Sequence, residues 1–396
     1  MKTRGEKILV VFIAIVCGIV YTSVVFDSLR YADFFDLKAF YTAAEVLKEG
    51  NNPYDYSVLE RKSQEVGIPQ PMPDYSYPPF YAIMLRPFTN IGFHNTGIIC
   101  ILLDQFVLAG IVIGYIWCVG NGRNTWFILT ISIIMFSLSE PLAQTLRLGQ
   151  VTLIVLGFVA GGLYFMKKRH DMLAGILLGI ATIIKLQPVL LLLYLLYKRM
   201  YMVFFSAIVT FTLLMLVSMS IVGVQIHYDW IKSGDMRMYS EGLVAPYNLT
   251  LQSYIGYHLK SDFSIYITRV IQITLAFLIM VLCRRDITAR GTSLNLEYSF
   301  VMVSMMMFSP VYWNQHYVYF ILPFIVIFDH LTTRKVKIIP VFTVSLAFAL
   351  ISLKYDYFSS ILQDDSGVIL DWLTFYGGVM LWIIYAYTLS KLKDDA

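Results

Sequence analysis

Charge is what this chain has least of. Only 14% of its 396 residues are Asp, Glu, Lys or Arg, against about 25% in a soluble domain. Mean hydropathy is +0.67, so the chain reads as an integral membrane protein. No basic face with interleaved aromatics lies outside the apolar runs, which argues against a nucleic-acid partner. Cysteine is scarce too. Cys17, Cys100, Cys118 and Cys283 all fall inside or at the edge of apolar segments, which excludes a disulfide framework on the loops and shows no metal-ligand spacing. There is no P-loop, no His/Cys cluster, no G-x-S-x-G and no strand–helix G-x-G-x-x-G. Chemistry driven by ATP or a nucleotide sugar inside this chain is therefore not expected. A lipid-linked phosphate donor, handed over within the membrane, fits what remains.

What is present is apolar and aromatic: 58% hydrophobic residues, with 28 Tyr, 27 Phe and 6 Trp, as suits helices that need amphipathic rings at two interfaces. Runs near 8–26, 97–119, 125–140, 150–166, 201–223, 265–283, 297–312, 316–331, 338–354 and 369–390 are read as spans of a hydrocarbon layer about 30 Å thick. The first, Ile8 to Phe26, is too long for a cleaved signal peptide, and its end is poor in small residues. A further stretch, 171–197, is interrupted by Lys185-Leu-Gln187-Pro188.

Charge parity decides that stretch. If it is a hairpin or two short spans, alternate loops sort by Lys and Arg. One side then holds Lys2, Arg4, Lys7, Arg123, Lys167, Lys168, Arg169, Lys198, Arg199, Arg284, Arg285, Arg290, Arg334, Lys335, Lys337, Lys391 and Lys393, which is 17 of the 30 cations, in short loops. A single crossing would break the positive-inside pattern from Lys198 onward. The expected fold is thus all-α and polytopic, one integral-membrane domain over 1–396 with about twelve transmembrane helices and both termini cytoplasmic. Segments 27–96, 141–149, 224–264 and 355–368 make the outer face. No internal repeat of the transporter kind is visible.

Within the first outer loop, 36–50 sets Phe40, Ala43, Ala44 and Leu47 on one helical face, with Lys38, Glu45, Lys48 and Glu49 around the rest. The spacing predicts a helix lying in the interface, ended by Gly50-Asn-Asn-Pro53. Tyr77-Pro78-Pro79 then enforces extended backbone before the apolar 80–93 segment.

Four polar residues land on or near the outer side: Asp33, Asp36, Lys185 and His316. They point to one outward cavity. A carboxylate at the lip of a membrane helix is costly to keep beside lipid, and such a site raises its pKa toward that of a useful base. Asp36 is accordingly the candidate base, with helix N-capping as the plain alternative; Asp33 caps, is solvated or lines the substrate. Lys185, flanked by wholly apolar runs, snorkels, pairs or binds a phosphate. His316 stands at the helix break made by Pro310, where it binds an anion, shares a proton or joins an interfacial aromatic belt. Arg147-Leu-Gly149-Gln150 begins a span from the same side. Gly149 allows close backbone approach there, and Gln150 offers a donor and an acceptor to a sugar hydroxyl. Asn248-Leu-Thr250 matches the N-glycosylation pattern, a match too common by chance to carry weight; a loop contact with substrate is the other reading of Asn248.

Taken together, these motifs resemble the membrane-integral glycosyltransferases of family 87, of the GT-C class, which includes polyprenyl-phosphate-mannose-dependent mannosyltransferases. The resemblance rests on Asp36-Leu-Lys-Ala-Phe-Tyr41-Thr-Ala43-Ala44 running on to Gly50-Asn-Asn-Pro53-Tyr54, then Tyr77-Pro78-Pro79 and Leu148-Gly149-Gln150. It continues through Gly175-Ile-Leu-Leu-Gly179 to Lys185-Leu-Gln-Pro188, Asn248, and Ser309-Pro310 with Trp313 and His316. It implies Asp36 as the catalytic base, an outer cavity for a polyprenyl phosphate, and inversion at the transferred sugar carbon. Tyr41 is placed among the substrate-binding residues with Lys185, His316, Gln150, Arg147, Asn248 and Asp33. One departure is visible: where the family often has two adjacent histidines, Gln315 replaces the first and His316 keeps the second.

The expected reaction moves a hexose, mannose in the first place, from a polyprenyl phosphate to a glycolipid or glycan acceptor on the outer face of a bacterial inner membrane. Lys185, His316 and Arg147 stabilise the leaving phosphate, and no obligatory cofactor or metal is expected, although Asp33 beside Asp36 keeps a metal pair open. The alternative is a carrier or flippase for a lipid-linked sugar, which needs the cavity and cations but no placed base.

Overall fold

The computed structural model describes residues 4–120, 124–238, 244–245, 248–261, 263–283, 291–333, 338–353 and 366–392. The expected loop cations Lys2, Arg123, Arg284, Arg285, Arg290, Arg334, Lys335, Lys337 and Lys393 lie outside the described residues, as does most of the outer segment 355–368. Every regular element among the described residues is helical.

Six helices among the described residues are long and apolar enough to cross a membrane. They are α1 (Arg4–Tyr31), α5 (Phe93–Gly114, continued by a π turn Tyr115–Val119), α11 (Tyr201–Val222), α14 (Ser264–Leu282), the segment Asn314–Thr333, and α18 (Ser366–Leu392). A seventh is gained if α6 (Thr125–Leu138) and α7 (Glu140–Leu148), bent by 62°, count as one span. Three shorter apolar helices, α8 (Thr152–Lys167), α9 (Asp171–Ile184) and α17 (Ile338–Ile351), stand beside them, with α10 (Val189–Tyr197) and α15 (Thr292–Phe308) completing the apolar set. By length and composition alone the described residues support six or seven crossings; the other expected spans fall on helices that local breaks leave shorter than a bilayer.

Two of those breaks build the site. Ser139 starts α7: its hydroxyl accepts from the Leu142 amide at 3.2 Å, and Pro141 sits in the first turn where no N–H is needed. The expected pair of spans 125–140 and 150–166 is therefore separated by an extra helix that turns sharply off α6. The second break follows Ile184. Lys185 is extended and Pro188, without an N–H, begins α10. The position of α9 is fixed by small residues. A Cβ on Gly175 would come within 2.4 Å of the Val203 carbonyl oxygen, and one on Gly179 within 2.6 Å of that of Ala207. These glycines let α9 lie backbone to backbone on α11, the close approach typical of membrane helices.

Segment Asn314–Thr333, a 3₁₀ turn (Asn314–Phe320) leading into α16 (Ile321–Thr333), is the centre of the bundle: 83% of its apolar window is buried, against 0% for α1. Helix α2 (Phe35–Lys48) ends as expected, with Gly50 at φ 73°. It is more enclosed than an interfacial amphipath. Asp36 to Ala44 are all buried, Lys38 at 2% exposure. The cover is the strap 70–78, where the Lys38 ammonium donates to the Pro71 carbonyl at 3.3 Å and Phe40 packs edge-on to Tyr77 and Tyr81. Two small helices, α3 (Tyr56–Glu65) and α4 (Pro79–Leu85), flank it. The expected loop 224–264 is partly helical, with α12 (Val224–Met238) and α13 (Leu251–Leu259).

Candidate active site

Helix α2 begins from a left-handed Phe34 (φ 53°), whose amide donates to the Arg147 carbonyl at 3.0 Å. No side chain caps this helix. Asp36, in its first turn, is therefore not spent on capping. Gly149, also left-handed (φ 65°), closes α7 against it, and a Cβ there would meet that of Leu37 at 2.8 Å. Only glycine permits both the conformation and the approach. This contact brings Gln150 onto Asp36.

The Asp36 carboxylate is 5% exposed and accepts from the Gln150 amide nitrogen at 2.7 Å. A longer hydrogen bond, 3.4 Å, comes from the Gln315 amide. The Tyr77 hydroxyl donates to the Gln150 carbonyl oxygen at 2.9 Å, which fixes which end of that amide faces the carboxylate. Burial pushes the Asp36 carboxyl up to about 6. The positive charge of Lys185 and the hydrogen bonds from Gln150 and Gln315 oppose that rise without cancelling it. Burial, and next the Asp36 charge, holds the Tyr77 phenol well above its ordinary range, so it stays a neutral donor.

Lys185 is 7% exposed, donates to the Thr152 hydroxyl at 2.8 Å, and lies 5.4 Å from the centre of the Tyr77 ring. It acts on Asp36 through space without forming an ion pair with it. His316 also lies within its field. The His316 Nδ1 accepts from the Trp313 amide at 3.2 Å, and the two rings are parallel with centroids 6.2 Å apart. That acceptor role assigns the proton of the neutral ring to Nε2. The Nε2 atom is buried with no hydrogen-bond partner among the described residues, as are Gln187 Oε1, Asn314 Oδ1 and Tyr319 Oη. Of these, the His316 Nε2–H lies within the field of Lys185, and an anionic oxygen of a guest would satisfy it.

Four residues singled out from the sequence thus converge: Asp36, Gln150, Lys185 and His316. Four others do not touch the carboxylate. Asp33 is 63% exposed and pairs with Lys38 at 2.8 Å. Arg147, 45% exposed, pairs with the buried Glu140. The Tyr41 hydroxyl donates to the Thr89 carbonyl at 2.9 Å, at the other face of α2. Asn248 is fully buried, donating to the Pro310 carbonyl at 3.1 Å and accepting from the Tyr312 amide at 3.0 Å. It holds the loop that precedes the 3₁₀ turn. Tyr77, Thr152 and Gln315 belong to the site but are not singled out by the sequence for contact with it. The signals are slight: a tyrosine before two prolines, a hydroxyl two residues past Gln150, and a glutamine in a polar run. Among the described residues, no group of three or more His, Cys, Asp or Glu could hold a metal ion.

The arrangement can accept a proton at a buried carboxylate and hold an anion at Lys185 and the His316 Nε2–H. Comparison with known proteins agrees in class: the family model of glycosyltransferase family 87 matches residues 75–310. No curated protein matches the chain.

Proposed function

The chain belongs to glycosyltransferase family 87, and we propose that it carries a hexose from a polyprenyl phosphate to a glycolipid or glycan hydroxyl, with Asp36 as the general base. The acceptor oxygen attacks the anomeric carbon of the donor, and Asp36 takes its proton. The new carbon–oxygen bond forms as the bond to the phosphate oxygen breaks, and that oxygen keeps the electron pair. Free polyprenyl phosphate leaves, and attack from the opposite face inverts the anomeric centre. Lys185, with the His316 Nε2–H, stabilises the charge growing on the phosphate, an electrostatic role worth about 3–4 kcal/mol per group in comparable sites. Thr152 holds Lys185 in place.

One observation carries this reading. Asp36 is buried, held by neutral amides, and paired with no cation, which keeps it basic enough to take a hydroxyl proton. The family resemblance supports mannose as the sugar. In the same reading the chain crosses the membrane about twelve times, with α2 at the outer interface and both termini cytoplasmic, in a bacterial inner membrane. Asn248 serves the site by holding the loop before the 3₁₀ turn, and the exposed Arg147 and Asp33 are left to meet substrate at its edge.

The test is sugar transfer from radiolabelled polyprenyl-phosphate-mannose into lipid extract by membranes carrying the wild type or Asp36→Asn. Loss of about two or more orders of magnitude in the variant, at unchanged protein level, is the expected result. Equal transfer by both proteins would remove Asp36 from the chemistry. Export of a lipid-linked sugar by the wild type, with no transfer and with Asp36→Asn only modestly slower, would favour a carrier.

A further inference from the structure

A pocket of about 210 Å³ opens beside α3, away from the Asp36 carboxylate, bounded by Pro53, Tyr54, Tyr56, Asp74, Tyr75 and, from α12, Ser233. We infer that it is a subsite for a sugar of the acceptor other than the one that reacts; the inference rests on the transferase reading above.

The lining suits a sugar ring. Tyr56 is 43% exposed, an aromatic face left open. Its surroundings are polar: Glu60 and Asp74 act on it electrostatically, and Asp55 caps α3 through the Ser57 amide at 3.0 Å. A tyrosine standing for lipid contact would have apolar neighbours instead. The C–H face of a pyranose packs on such a ring, while an exposed carboxylate such as Asp74 accepts from its hydroxyls. The convergence of two polar residues, Asp74 and Ser233, in a pocket otherwise walled by three tyrosines, Pro53 and Leu59 is the usual make-up of a small-molecule site. The walls are also braced. The Asn52 amide donates to Asp229 at 2.9 Å, tying α12 to the turn before α3.

Hydrogen bonds and ring contacts tie the pocket to the carboxylate. The Tyr54 and Tyr75 rings lie 5.5 Å apart, and the Tyr54 hydroxyl donates to the Tyr77 carbonyl at 2.7 Å. Tyr77 in turn reaches Gln150, and Gln150 reaches Asp36. The strap that walls the pocket is therefore the strap that orients the base. Because Tyr54 and Tyr77 stand between pocket and carboxylate, a ring in the pocket cannot present its own hydroxyl to Asp36. The reacting hydroxyl then belongs to another sugar of the same glycan, so the acceptor has at least two sugar units.

Saturation-transfer NMR on the purified full-length protein in detergent tests this, with the methyl glycosides of mannose, glucose and galactose and the methyl glycoside of an α-linked mannobiose as probes. Wild type and Asp36→Asn should both transfer saturation to at least one probe. Tyr56→Ala and Asp74→Asn, both at exposed positions, should lose it. In the transfer assay with the mannobioside as acceptor, Tyr56→Ala should raise the acceptor KM about tenfold, the scale of one lost contact, with kcat retained. Saturation transfer that is absent from the wild type, or equal in all four proteins, overturns the subsite while wild-type sugar transfer leaves the enzyme reading standing. Binding lost only in the pocket variants, from a wild type that never transfers sugar, overturns the enzyme reading and with it the acceptor role of the pocket.

Discussion

The two ends of α10 each carry a buried lysine with a buried carboxylate nearby, and they treat the pair in opposite ways. At the far end, Lys198 and Glu297 are in direct contact at 2.9 Å, 6% and 1% exposed. The Tyr194 hydroxyl donates to the same Glu297 oxygen at 3.0 Å, and Lys198 also donates to the Cys283 carbonyl at 3.0 Å. Those charges are committed to each other and to holding α10, α14 and α15 together. At the near end, Lys185 and Asp36 feel one another but are held apart by neutral partners, Thr152 for the lysine and Gln150 and Gln315 for the carboxylate. A contact ion pair would be sound structure and poor chemistry, since a base locked to an ammonium loses basicity. Separation leaves both groups open to a guest, at a cost in stability that the rest of the bundle must cover.

The sharpest way to break this contrast is a crossed pair of substitutions. Asp36→Asn should cost about two to four orders of magnitude in transfer with little change in the thermal midpoint of the detergent-solubilised protein. Glu297→Ala should do the reverse. Leaving Lys198 buried without its carboxylate costs about 3–5 kcal/mol, while turnover per folded molecule stays near the wild-type value. If both variants lose stability and neither loses specific activity, the division of labour between the two ends is wrong. Next in size is Lys185→Met, which keeps the length of the side chain and removes the charge. Transfer should fall by about two to three orders of magnitude, the scale of one lost electrostatic stabiliser, chiefly in kcat. A change confined to KM would make Lys185 a docking group only.

Acid sensitivity should follow from the same separation. With its carboxyl pushed up to about 6, Asp36 as the proposed base would be active above that pH and an inert acid below it. Transfer should therefore rise as pH increases through about 6 and fall by about tenfold for each unit below it, whereas an unshifted carboxylate would hold activity to about 4. The groups facing Asp36 are Lys185, Tyr77, Gln150 and Gln315. Of these, Lys185 is the one whose charge favours the ionised carboxylate, so Lys185→Met should shift the acid limb upward. An acid limb left in place by that change would mean that another group controls the profile.

How far the site is legible in the sequence follows from what each residue interrupts. Asp36, Lys185, Gln150 and His316 stand out because each breaks or borders an apolar run, and polarity in an apolar setting is a local signal. Their partners are set by distant chain segments. Nothing near Asp33 or Arg147 in the sequence separates them from Asp36; only the fold pairs Asp33 with Lys38 and Arg147 with Glu140. The same holds for α2. Its alternation of apolar and charged residues is that of an interfacial helix, yet Lys38 on the polar face is buried against the strap 70–78, and local pattern carries no trace of that cover. For α7, Ser139 and Pro141 do mark a helix start, but the apolar runs on either side read more strongly than the bend between them. Asn248 reads from sequence as a loop residue of modest interest, and the fold gives it both anchors of the segment that carries Trp313 and His316.

The smallest effect expected is also the most specific to this arrangement. Tyr77 does not touch the carboxylate. Its hydroxyl donates to the Gln150 carbonyl oxygen at 2.9 Å, and that same oxygen also accepts from the Val151 amide at 2.9 Å. Both bonds hold the amide with its nitrogen toward Asp36. Tyr77→Phe removes one of them, keeps the ring under Lys185, and leaves the other in place. The loss should be about 0.5–1.5 kcal/mol, the worth of one neutral hydrogen bond, or a fall of about three- to tenfold in kcat. A readout besides rate distinguishes positioning from general loosening of the strap. With the Gln150 bond to Asp36 weakened, the acid limb should move upward in Tyr77→Phe, and it should move further in Gln150→Leu, which removes that bond altogether. Were Tyr77→Phe to slow transfer with no movement of the limb, its hydroxyl would not act through Gln150, and the loss would belong to the strap or to a direct contact with substrate.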